Sequence, residues 1–536
     1  MTASLYMLDE LGIAAGTLLA SRSLIHYFQL ESYQLPGFYR TVRRKMWPCF
    51  RPGVFMGIAA LVLSVGAAFI PAAQGGLSGW VIHLFLMAAM VGCGYLMGRI
   101  FDDKKAKKPL VITPRIKRLG VISFLVNLVM LWLLELLRQA LIPGVQGFLP
   151  FLAPLLVAVA GGVAAPVEGF INELYFRDAQ KILKARPDLI KIGITGSYGK
   201  TSVKFILGTM LAEKYQTLVT PSSFNTPMGV TKVIRNKLQP GHQVFVAEMG
   251  ARHVGDIKEL CRLVHPTIGV LTSVGPQHLN TFKTIDRIKS TKYELMDAIP
   301  SDGLCVFFDD GNICRELYDK TGKKKLLCSL QPGADSDVWA ENIRVGSRGS
   351  TFDLCTTDGR VSCETRLLGE HNITNILLST CVCLQLGLTM KQIARGIAKL
   401  QPVEHRLQLI DNPGGMAIID DAFNSNPQSA GRALKVLKQF EGRRIVITPG
   451  MVELGSEEAD YNKTFGMQMA DCVDEAILVG KKHVQPILEG LKEAGFPEEH
   501  THRVDSLNEA TALLREMGRA GDTVLFENDL PDNYNE

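Results

Sequence analysis

The sequence lacks several features that would each assign it to a familiar class. Its 11 cysteines include no C-x-x-C pair, and Cys381 and Cys383 are two residues apart on a predicted helix, a poor geometry for sharing one metal ion. A net charge of +5 gives no argument for nucleic-acid binding. Asp9 and Glu10 precede the first apolar stretch, where a cleavable signal peptide would have a basic region. We therefore expect reduced cysteines in a cytosolic domain, no nucleic-acid partner and no cleaved leader.

Long apolar runs, in contrast, are abundant in the first third of the chain. Four runs carry few or no charges and have about the ~20 residues that a bilayer requires; they are 52–74, 78–100, 119–137 and 148–165. Segment 5–28 is a weaker fifth candidate because Asp9, Glu10 and Arg22 interrupt it. Four such runs in succession, with basic segments between them, favour membrane spans over buried core helices.

The charges between these runs predict an orientation in the membrane. Basic residues concentrate in segments 40–51 and 104–118, whereas segments 71–77 and 138–147 hold only Arg138. The positive-inside rule places the two basic segments in the cytoplasm. With five spans, the N-terminus is then outside and everything after residue 166 is inside. We expect a multi-pass plasma-membrane protein in contact with the lipid bilayer, with its catalytic domains in the cytoplasm.

A glycine-rich turn follows an apolar run at residues 189–192. Residues 193–202 read Gly-Ile-Thr-Gly-Ser-Tyr-Gly-Lys-Thr-Ser and precede a helical pattern. Strand, glycine turn, Gly-Lys-Thr and helix are typical of a phosphate-binding loop, in which backbone N–H groups surround phosphate oxygens. Lys200 can reach the terminal phosphates of ATP, and the Thr201 hydroxyl can hold Mg²⁺. Gly193 lies one residue too early for the usual spacing, but the context favours an ATP site over a plain helix-start turn.

Strand-like runs alternate with helical stretches after residue 187. The runs 188–194, 242–248, 266–273 and 303–309 predict a parallel sheet, whose ligands bind at the C-terminal strand ends. Glu248 ends the second run and is a natural Mg²⁺ ligand, since hard cations prefer oxygen. His278 follows the third run, and its position beside a strand end favours a role in the site over a structural histidine.

Together these motifs resemble the Mur ligase family over about 187–536. The resemblance rests on the order and spacing of the phosphate loop and of eight further segments: 224–229 (Phe-Asn-Thr-Pro-Met-Gly), 248–251 (Glu-Met-Gly-Ala), 278–279 (His-Leu), 291–294 (Thr-Lys-Tyr-Glu), 369–375 (Gly-Glu-His-Asn-Ile-Thr-Asn), 405–406 (His-Arg), 420–427 (Asp-Asp-Ala-Phe-Asn-Ser-Asn-Pro) and 451–455 (Met-Val-Glu-Leu-Gly). Each motif alone is weak, but the set is specific.

The resemblance implies an ATP-dependent ligase that joins a carboxylate to an amine through an acyl phosphate. Lys200, His278 and Lys292 would be catalytic, with Lys200 on the transferred phosphate. Thr201 and Glu248 would hold one Mg²⁺, and Glu248, His278 and a carbamylated Lys292 a second metal. Without the family pattern, the sequence would predict that Lys292 is an ordinary lysine on the surface of a helix. The resemblance also implies the residues that contact ATP. Asn372 and Asn375 would face the adenine, and Arg406 and Asp421 would meet the phosphate and the ribose. The residues of the phosphate loop are Gly196, Ser197, Tyr198, Gly199, Lys200, Thr201 and Ser202.

The expected fold is an α-helical membrane region followed by two α/β domains. We predict a transmembrane region at 1–170, a linker helix at 171–186, a parallel-sheet ATP-binding domain at 187–405 and a Rossmann-like C-terminal domain at 406–536. The last domain has strand-like runs at 444–448, 476–480 and 523–526. Two departures from the family matter. Glu527-Asn528-Asp529-Leu530 stands where a peptidoglycan ligase of the family has Lys-Gly-Ser, and membrane spans replace the family's uridine-nucleotide domain.

Three functions remain open at this point. The first is a membrane-anchored Mur-type ligase of cell-envelope and peptidoglycan synthesis, which adds an amino acid or dipeptide to a cell-wall peptide or lipid-linked acceptor. The second is a poly-γ-glutamate-type synthase. The third, of another class, is a P-loop ATPase coupled to transport; it would need charged residues inside the spans, which offer little besides Arg22 and Glu135.

Overall fold

The computed structural model describes eight stretches of the chain, which are 2–70, 76–102, 109–138, 145–222, 224–333, 335–411, 414–423 and 425–529. Lysines 104–108, on which much of the orientation argument depends, lie outside the described residues, as does position 424 of the 420–427 motif. Backbone contacts divide the chain into two compact units, Met1–Glu173 and Leu174–Glu536.

The first unit is helical, as predicted. Its elements are α1 (Thr2–Ala20), α2 (Arg22–Leu30), α3 (Leu35–Arg44), α4 (Met46–Ala68), α5 (Gly76–Ile100), α6 (Pro114–Arg138), a 3₁₀ turn (Val145–Leu152) and α7 (Ala153–Lys184), which continues into the second unit. Among the described residues, four segments are by length and composition able to cross a membrane; they are Met46–Gly66, Gly76–Ile100, Pro114–Glu135 and Val145–Lys184. Segment 5–28 is not among the four, and its helix breaks at Ser21. The predicted linker helix at 171–186 lies within the last of these segments as far as Lys184 and is part of α7, not a separate helix.

Two pairs of ionisable side chains join helices inside the first unit. His83 Nδ1 lies 2.9 Å from both carboxylate oxygens of Asp9, which joins α5 to α1. Arg118 on α6 donates two hydrogen bonds to Glu168 on α7, at 2.6 and 2.9 Å. An ionisable group in an apolar environment requires such a partner. The unit therefore holds more buried polar chemistry than its sequence predicts.

The second unit begins with a nine-stranded sheet. Its strands are β1 (Ile190–Thr195), β2 (Thr217–Val219), β3 (Val244–Glu248), β4 (Ile268–Leu271), β5 (Leu304–Phe308), β6 (Lys325–Ser329), β7 (Val338–Gly346), β8 (Gly349–Thr356) and β9 (Gly359–Thr365). Their spatial order is β2-β3-β1-β4-β5-β6-β7-β8-β9, and the first seven are parallel. The four predicted strands are confirmed as β1, β3, β4 and β5. The antiparallel strands β8 and β9 were not predicted.

Helices cover both faces of this sheet. They are α8 (Lys200–Leu211), α9 (Pro227–Lys237), α10 (Asp256–Val264), α11 (Leu279–Phe282), α12 (Ile285–Ala298), α13 (Ile313–Lys320), α14 (Glu370–Gln385) and α15 (Met390–Ala398). Helices α8, α14 and α15 contribute to the core on one face, and α9, α10 and α12 to the core on the other. Because β1 has a neighbour from a different crossover on each side, its C-terminal end opens into the crevice where such sheets bind ligands.

A six-stranded sheet follows, with the order β10-β11-β15-β12-β13-β14. Its elements are β10 (Gln408–Asp411), β11 (Ala417–Asp421), α16 (Pro427–Leu437), β12 (Arg444–Thr448), α17 (Glu458–Ala470), β13 (Glu475–Val479), α18 (Gln485–Glu493), β14 (Thr501–Val504), α19 (Leu507–Met517) and β15 (Thr523–Glu527). All neighbours are parallel except β10 and β11. The alternation of strands and helices, and strands β12, β13 and β15, are confirmed.

Candidate active site

The glycine-rich loop connects β1 to α8. Gly196 has φ +153°, and a Cβ atom there would lie 2.0 Å from Thr272 Oγ1. Gly199 has φ +81° and precedes the first residue of α8; a Cβ atom there would lie 2.8 Å from Asn375 Oδ1. Neither position accepts a side chain, because the backbone is left-handed and its neighbours leave no space. The two glycines therefore let the loop turn tightly between β4 and α14.

Residues after β4 support the loop from one side. The Ser197 hydroxyl donates to the carbonyl oxygen of Gly275 at 2.9 Å, and the Tyr198 hydroxyl donates to that of Pro276 at 2.6 Å. Ser197 and Tyr198 are buried, so these bonds satisfy polar atoms that water does not reach. The loop residues Gly196–Tyr198 are therefore held in place before any ligand binds.

Lys200, the first residue of α8, has its ammonium group turned back over the loop. Its Nζ donates to the carbonyl oxygens of Gly196 and Ser197, the latter at 3.0 Å. Burial lowers the pKa of Lys200 to about 8, with the charge of Glu248 acting in the opposite direction. The Lys200 ammonium can therefore either keep these two carbonyl partners or exchange them for an anion that enters the loop.

Glu248, the last residue of β3, is buried beside this loop. Its carboxylate accepts hydrogen bonds from the Thr201 hydroxyl at 3.1 Å, from Lys204 Nζ at 2.9 Å and from Asn225 Nδ2 at 3.0 Å. Burial by itself raises the pKa of Glu248, but the charges of Lys204 and Lys200 outweigh it and the pKa is lowered. The structure therefore brings Lys200, Thr201 and Glu248 together, as predicted, and keeps the glutamate ionised.

Sequence reasoning missed Lys204. Its side chain is fully buried and forms an ion pair with Glu248. The available signal was its position one helical turn after Lys200, on a helix whose neighbouring residues Val203 and Ile206 are apolar and buried. A lysine surrounded by core residues requires a buried partner, and Glu248 supplies it.

The charge of Lys200 lowers the pKa of His278 and of Lys292. Neither side chain forms a hydrogen bond with Glu248 in the part of the chain that is described. His278 Nδ1 is 2.8 Å from Glu453 Oε2 of the second sheet's domain, a contact that the sequence did not predict. Burial lowers the pKa of His278, and the hydrogen bond from His278 lowers the pKa of Glu453. Lys292 is fully buried on α12, and burial followed by the Lys200 charge lowers its pKa well below the usual range.

We tested whether these residues suit a divalent metal. Thr201 Oγ1 and Glu248 Oε2 are neighbouring oxygen atoms of the kind that Mg²⁺ prefers. A lysine ammonium is not a metal ligand, whereas burial favours the neutral amine of Lys292, which is the form that reacts with CO₂. No cluster of three or more His, Cys, Asp or Glu side chains suited to a metal occurs in the described residues. Thr201 and Glu248 fit one Mg²⁺; the second metal stays a prediction.

Asn372 and Asn375 lie on α14, on the other side of the loop. Asn375 Nδ2 donates to Asn372 Oδ1 at 3.2 Å, and Asn372 Nδ2 donates to the carbonyl oxygen of Leu368 at 2.8 Å. Both amides are largely buried, and Asn375 approaches Gly199. Ser202 lies half-buried in the first turn of α8. The predicted adenine residues therefore lie beside the loop.

Arg406 and Asp421 come from the domain of the second sheet. The Arg406 guanidinium lies over the Phe423 ring, 4.6 Å from its centroid. Burial lowers the pKa of Arg406, and the charges of Asp421, Glu248 and Glu527 act in the opposite direction. Asp421 Oδ1 accepts a hydrogen bond from the Leu407 N–H at 3.1 Å. The charge of Glu248, a residue of the loop domain, acts on Arg406, whereas the role of Asp421 at the ribose stays a prediction.

Family models match both domains of the second unit. The Mur ligase middle domain matches residues 194–383, and the Mur ligase, glutamate ligase domain matches residues 405–527. The UDP-N-acetylmuramoyl-tripeptide–D-alanyl-D-alanine ligase of Escherichia coli is 31% identical over 292 residues, which are 54% of this chain and 64% of that protein. The ligase of the same name from Mycobacterium tuberculosis is 31% identical over 358 residues, covering 63% and 69% of the two chains.

Solved structures agree on the fold. The MurF ligase of Thermotoga maritima in complex with ADP has a TM-score of 0.60 at 24% identity, and the match covers 67% of this chain and 80% of that one. The chain spans just under two thirds of the Escherichia coli relative. All of these matches cover about half to two thirds of this chain.

Proposed function

The chain belongs to the Mur ligase family, and we propose that it is an ATP-dependent, ADP-forming ligase that joins a carboxylate to an amine in the synthesis of peptidoglycan precursors. The observation that carries the proposal is the arrangement of Lys200, Thr201 and Glu248 at the ends of β1 and β3. A phosphate loop beside an ionised buried glutamate suits transfer of the terminal phosphate of ATP.

The reaction has two steps. A carboxylate oxygen of the acceptor attacks the terminal phosphorus of ATP, ADP leaves, and an acyl phosphate forms. The amine nitrogen then attacks the acyl carbon, the amide bond forms, and inorganic phosphate leaves with one amine proton. Lys200 would exchange its carbonyl partners for the transferred phosphate, whose charge it offsets.

Two metal positions would complete the charge balance. Thr201 and Glu248 would hold one Mg²⁺, which supplies neutralisation of phosphate oxygens when bound. Glu248, His278 and a carbamylated Lys292 would hold the second. The low pKa of Lys292 supports the carbamate, because only a neutral amine takes up CO₂. Lys204 and Asn225 donate hydrogen bonds to the Glu248 carboxylate and would hold it in position for the metal.

The nucleotide would lie between the two domains of the second unit. The loop residues 196–202 would hold its phosphates, and Asn372 and Asn375 would face its adenine. Arg406 and Asp421 would meet phosphate and ribose from the opposite side. The His278–Glu453 hydrogen bond already joins the two domains, which supports a site closed over ATP.

We also propose the location and the acceptor. Residues 1–170 would be a membrane region, 171–186 a linker helix, 187–405 and 406–536 cytoplasmic catalytic domains. The four long apolar segments support this arrangement. An acceptor already tethered to lipid would be confined near the site, so a lipid-linked cell-wall peptide would react better than a soluble one. The amine would be an amino acid or a dipeptide such as D-alanyl-D-alanine.

The first experiment removes the central charge. Lys200→Ala should abolish formation of ADP and of the amide product by the purified full chain, while the protein stays folded. Lys237→Ala, which alters an exposed lysine of α9, is the matched control and should retain full activity. Unchanged product formation by Lys200→Ala would disprove the assigned loop. Product analysis also separates this ligase from a poly-γ-glutamate synthase or a transport ATPase.

The second experiment sets a uridine-linked tripeptide against its lipid-linked form at equal total concentration. We expect faster ligation to the lipid-linked acceptor. Equal or better kinetics on the soluble peptide would contradict this preference and leave the membrane region only the role of an anchor.

A third experiment tests the topology. A reporter fused after residue 170 should be cytoplasmic, and one near residue 75 should be external. Protease access to the catalytic domains in intact cells would contradict this topology.

A further inference from the structure

A long stretch of the first unit carries basic residues and no acidic ones. No Asp or Glu occurs between Glu31 and Asp102, whereas the same stretch contains Arg40, Arg43, Arg44, Lys45, Arg51 and Arg99. The positive-inside rule explains why such residues flank a membrane span, but it does not say what their charges contact. A counter-charge for this stretch therefore has to come from another part of the chain or from another molecule.

Helix α3 carries three of these arginines on one face. Arg40, Arg43 and Arg44 have the i, i+3, i+4 spacing of neighbours on a helix surface, and all three are exposed. None of them forms a hydrogen bond or an ion pair with a described residue. Arg118 of the same unit, in contrast, donates two hydrogen bonds to Glu168. The charges on α3 are therefore available to an anion from outside the protein.

The opposite face of α3 holds the helix against α2. The Phe38 ring lies edge-on to the Phe28 ring, with 5.2 Å between the centroids. The Thr41 hydroxyl donates to Glu31 Oε1 at 2.7 Å, and both Phe38 and Thr41 are buried. Because these contacts fix the buried face, the face with the arginines stays directed outward.

Arg51, in the second turn of α4, also has no counter-charge. Its Nε atom is buried and forms no hydrogen bond with a described residue, and its guanidinium lies over the Phe101 ring, 4.7 Å from the centroid. Trp47 and Phe55 lie four residues before and after Arg51, so they share its face of α4, and both are exposed. The Arg51 side chain is only half-buried, so an acceptor from outside the described chain can approach it.

Large apolar side chains are exposed beside these arginines. Tyr39 is 68% exposed, Met46 60% and Trp47 61%. Tyr and Trp are enriched at membrane–water interfaces, where the ring lies in apolar surroundings and its polar group in the headgroup layer. The candidate span Met46–Gly66 begins at this position, which is where it would leave the bilayer. This location favours lipid headgroups over an anion in free solution.

The arginine surface is defined as Arg40, Arg43, Arg44 and Arg51. We propose that this surface binds the phosphate groups of anionic phospholipids in the cytoplasmic leaflet, with Tyr39 and Trp47 at the depth of the headgroups. The inference rests on the proposed membrane location and adds to it the chemical class of lipid that the protein selects. A guanidinium donates paired N–H bonds to phosphate oxygens, and an anionic headgroup supplies the counter-charge that this stretch of the chain lacks.

The test compares two lipids that differ in headgroup charge. The purified full chain in a neutral detergent is titrated with phosphatidylglycerol and with phosphatidylcholine of the same acyl chains, and bound lipids are counted by native mass spectrometry. We expect phosphatidylglycerol to bind at least about tenfold more tightly, because several basic residues act together on one anionic headgroup layer. The preference should decrease as the ionic strength rises, since salt screens exposed charges.

Two triple variants separate charge from structure. The variant Arg40→Gln, Arg43→Gln, Arg44→Gln should lose most of the preference for phosphatidylglycerol, whereas replacement of the same three residues by Lys keeps the charge and should retain it. The matched control replaces three exposed arginines of the second unit by Gln and should behave as wild type; these are Arg344, Arg348 and Arg360. If the first triple variant does not fold, Arg51→Gln takes its place.

Equal affinity of wild type for the two lipids would overturn the arginine surface, and so would a full preference in the Gln variant. Complete competition by inorganic phosphate or by a DNA oligonucleotide at matched ionic strength would overturn it too, because the surface would then bind a soluble anion or a nucleic acid. Alkaline extraction of membranes tests the location separately. A chain that resists extraction without preferring phosphatidylglycerol disproves the surface alone. A chain that is extracted and still prefers this lipid disproves the spans and keeps the surface.

Discussion

A buried acidic site lies at the strand ends of each of the two sheets, and the two sites offset the cost of burying a carboxylate charge in opposite ways. Glu248 on β3 is surrounded by donors and cations, and its pKa is lowered. Glu527 on β15 faces a second carboxylate, and its pKa is raised. Burial raises the pKa in both places, so the partner decides the outcome. The first, complete site is ionised and accepts hydrogen bonds at both carboxylate oxygens, whereas the second is a pair of carboxyl groups that retains a proton.

The largest expected effect comes from breaking the complete site. Glu248→Gln leaves the Lys204 ammonium buried without its counter-charge, and we expect it to destabilise the folded state by about 3–5 kcal/mol. Lys204→Met should also destabilise. The double variant should be more stable than Glu248→Gln alone, because no uncompensated charge remains. Thermal unfolding of the purified full chain measures all three.

An additive double variant would contradict the ion-pair interpretation, since independent residues add and coupled residues do not. Ligation should nevertheless remain absent in the double variant, because Glu248 is also the proposed Mg²⁺ ligand. Stability would then recover without activity, which separates the two roles of this glutamate.

Strand and loop patterns predicted much of the complete site. The phosphate loop and Glu248 follow from the order of strand, glycine turn and helix, which local sequence records. The position of Lys204 among apolar residues of α8 was a local signal of burial, but its partner Glu248 lies on β3, and no local pattern identifies that partner. The His278–Glu453 contact was missed for the same reason, since 175 positions separate the two residues.

The second site shows the limit more clearly. The final strand and the acidic change at Glu527 were visible in the sequence, but the partner Asp421 was predicted only as a ribose ligand. Their pairing follows from β11 and β15 being neighbours in the sheet, although 106 positions separate Asp421 from Glu527. Strand order in a parallel sheet is set by tertiary packing. A sequence pattern can therefore predict each strand but not which strand lies beside it in the sheet.

The next effect has the opposite sign. In wild type, near pH 8, the folded protein must hold a proton on this pair, whereas Glu527→Gln supplies an N–H donor to Asp421 without one, so we expect it to stabilise the folded protein by about 1 kcal/mol. Calorimetric unfolding measures this change. Destabilisation comparable to that of Glu248→Gln would show that the proton held by the wild-type pair costs no stability and would remove the contrast between the two sites.

The two sites should also respond oppositely to pH. Glu248 has a lowered pKa, so its contribution to stability is present above the unfolded value of about 4.3 and is lost as pH falls through its folded pKa. Asp421 has a folded pKa of about 6, so its contribution is present below about 3.9 and is lost as pH rises toward 6. Glu527 continues this loss at higher pH.

Unfolding midpoints across this range, measured for wild type and for both single variants, check these signs. The advantage of Glu527→Gln over wild type should grow as pH rises, and the disadvantage of Glu248→Gln should shrink at acidic pH. The charges of Lys200 and Lys204 act on Glu248, and Arg406 also interacts with it. The charges of Arg406 and Asp421 act on Glu527, and that of Asp420 acts on Asp421. Parallel curves for all three proteins would mean that neither carboxylate changes its proton affinity on folding.

The smallest expected effect comes from Ser425, whose hydroxyl is the described donor to Glu527. Ser425→Ala leaves Glu527 Oε1 without that donor, and we expect a loss of about 0.5 kcal/mol. The loss should be greater near pH 8 than near pH 6, because the hydrogen bond favours the ionised carboxylate and its removal raises the pKa of Glu527 further. Ser456→Ala, an exposed serine of the same domain, should have no comparable effect. A loss that is equal at both pH values would mean that Ser425 supports the backbone after β11 and does not tune the carboxylate pair.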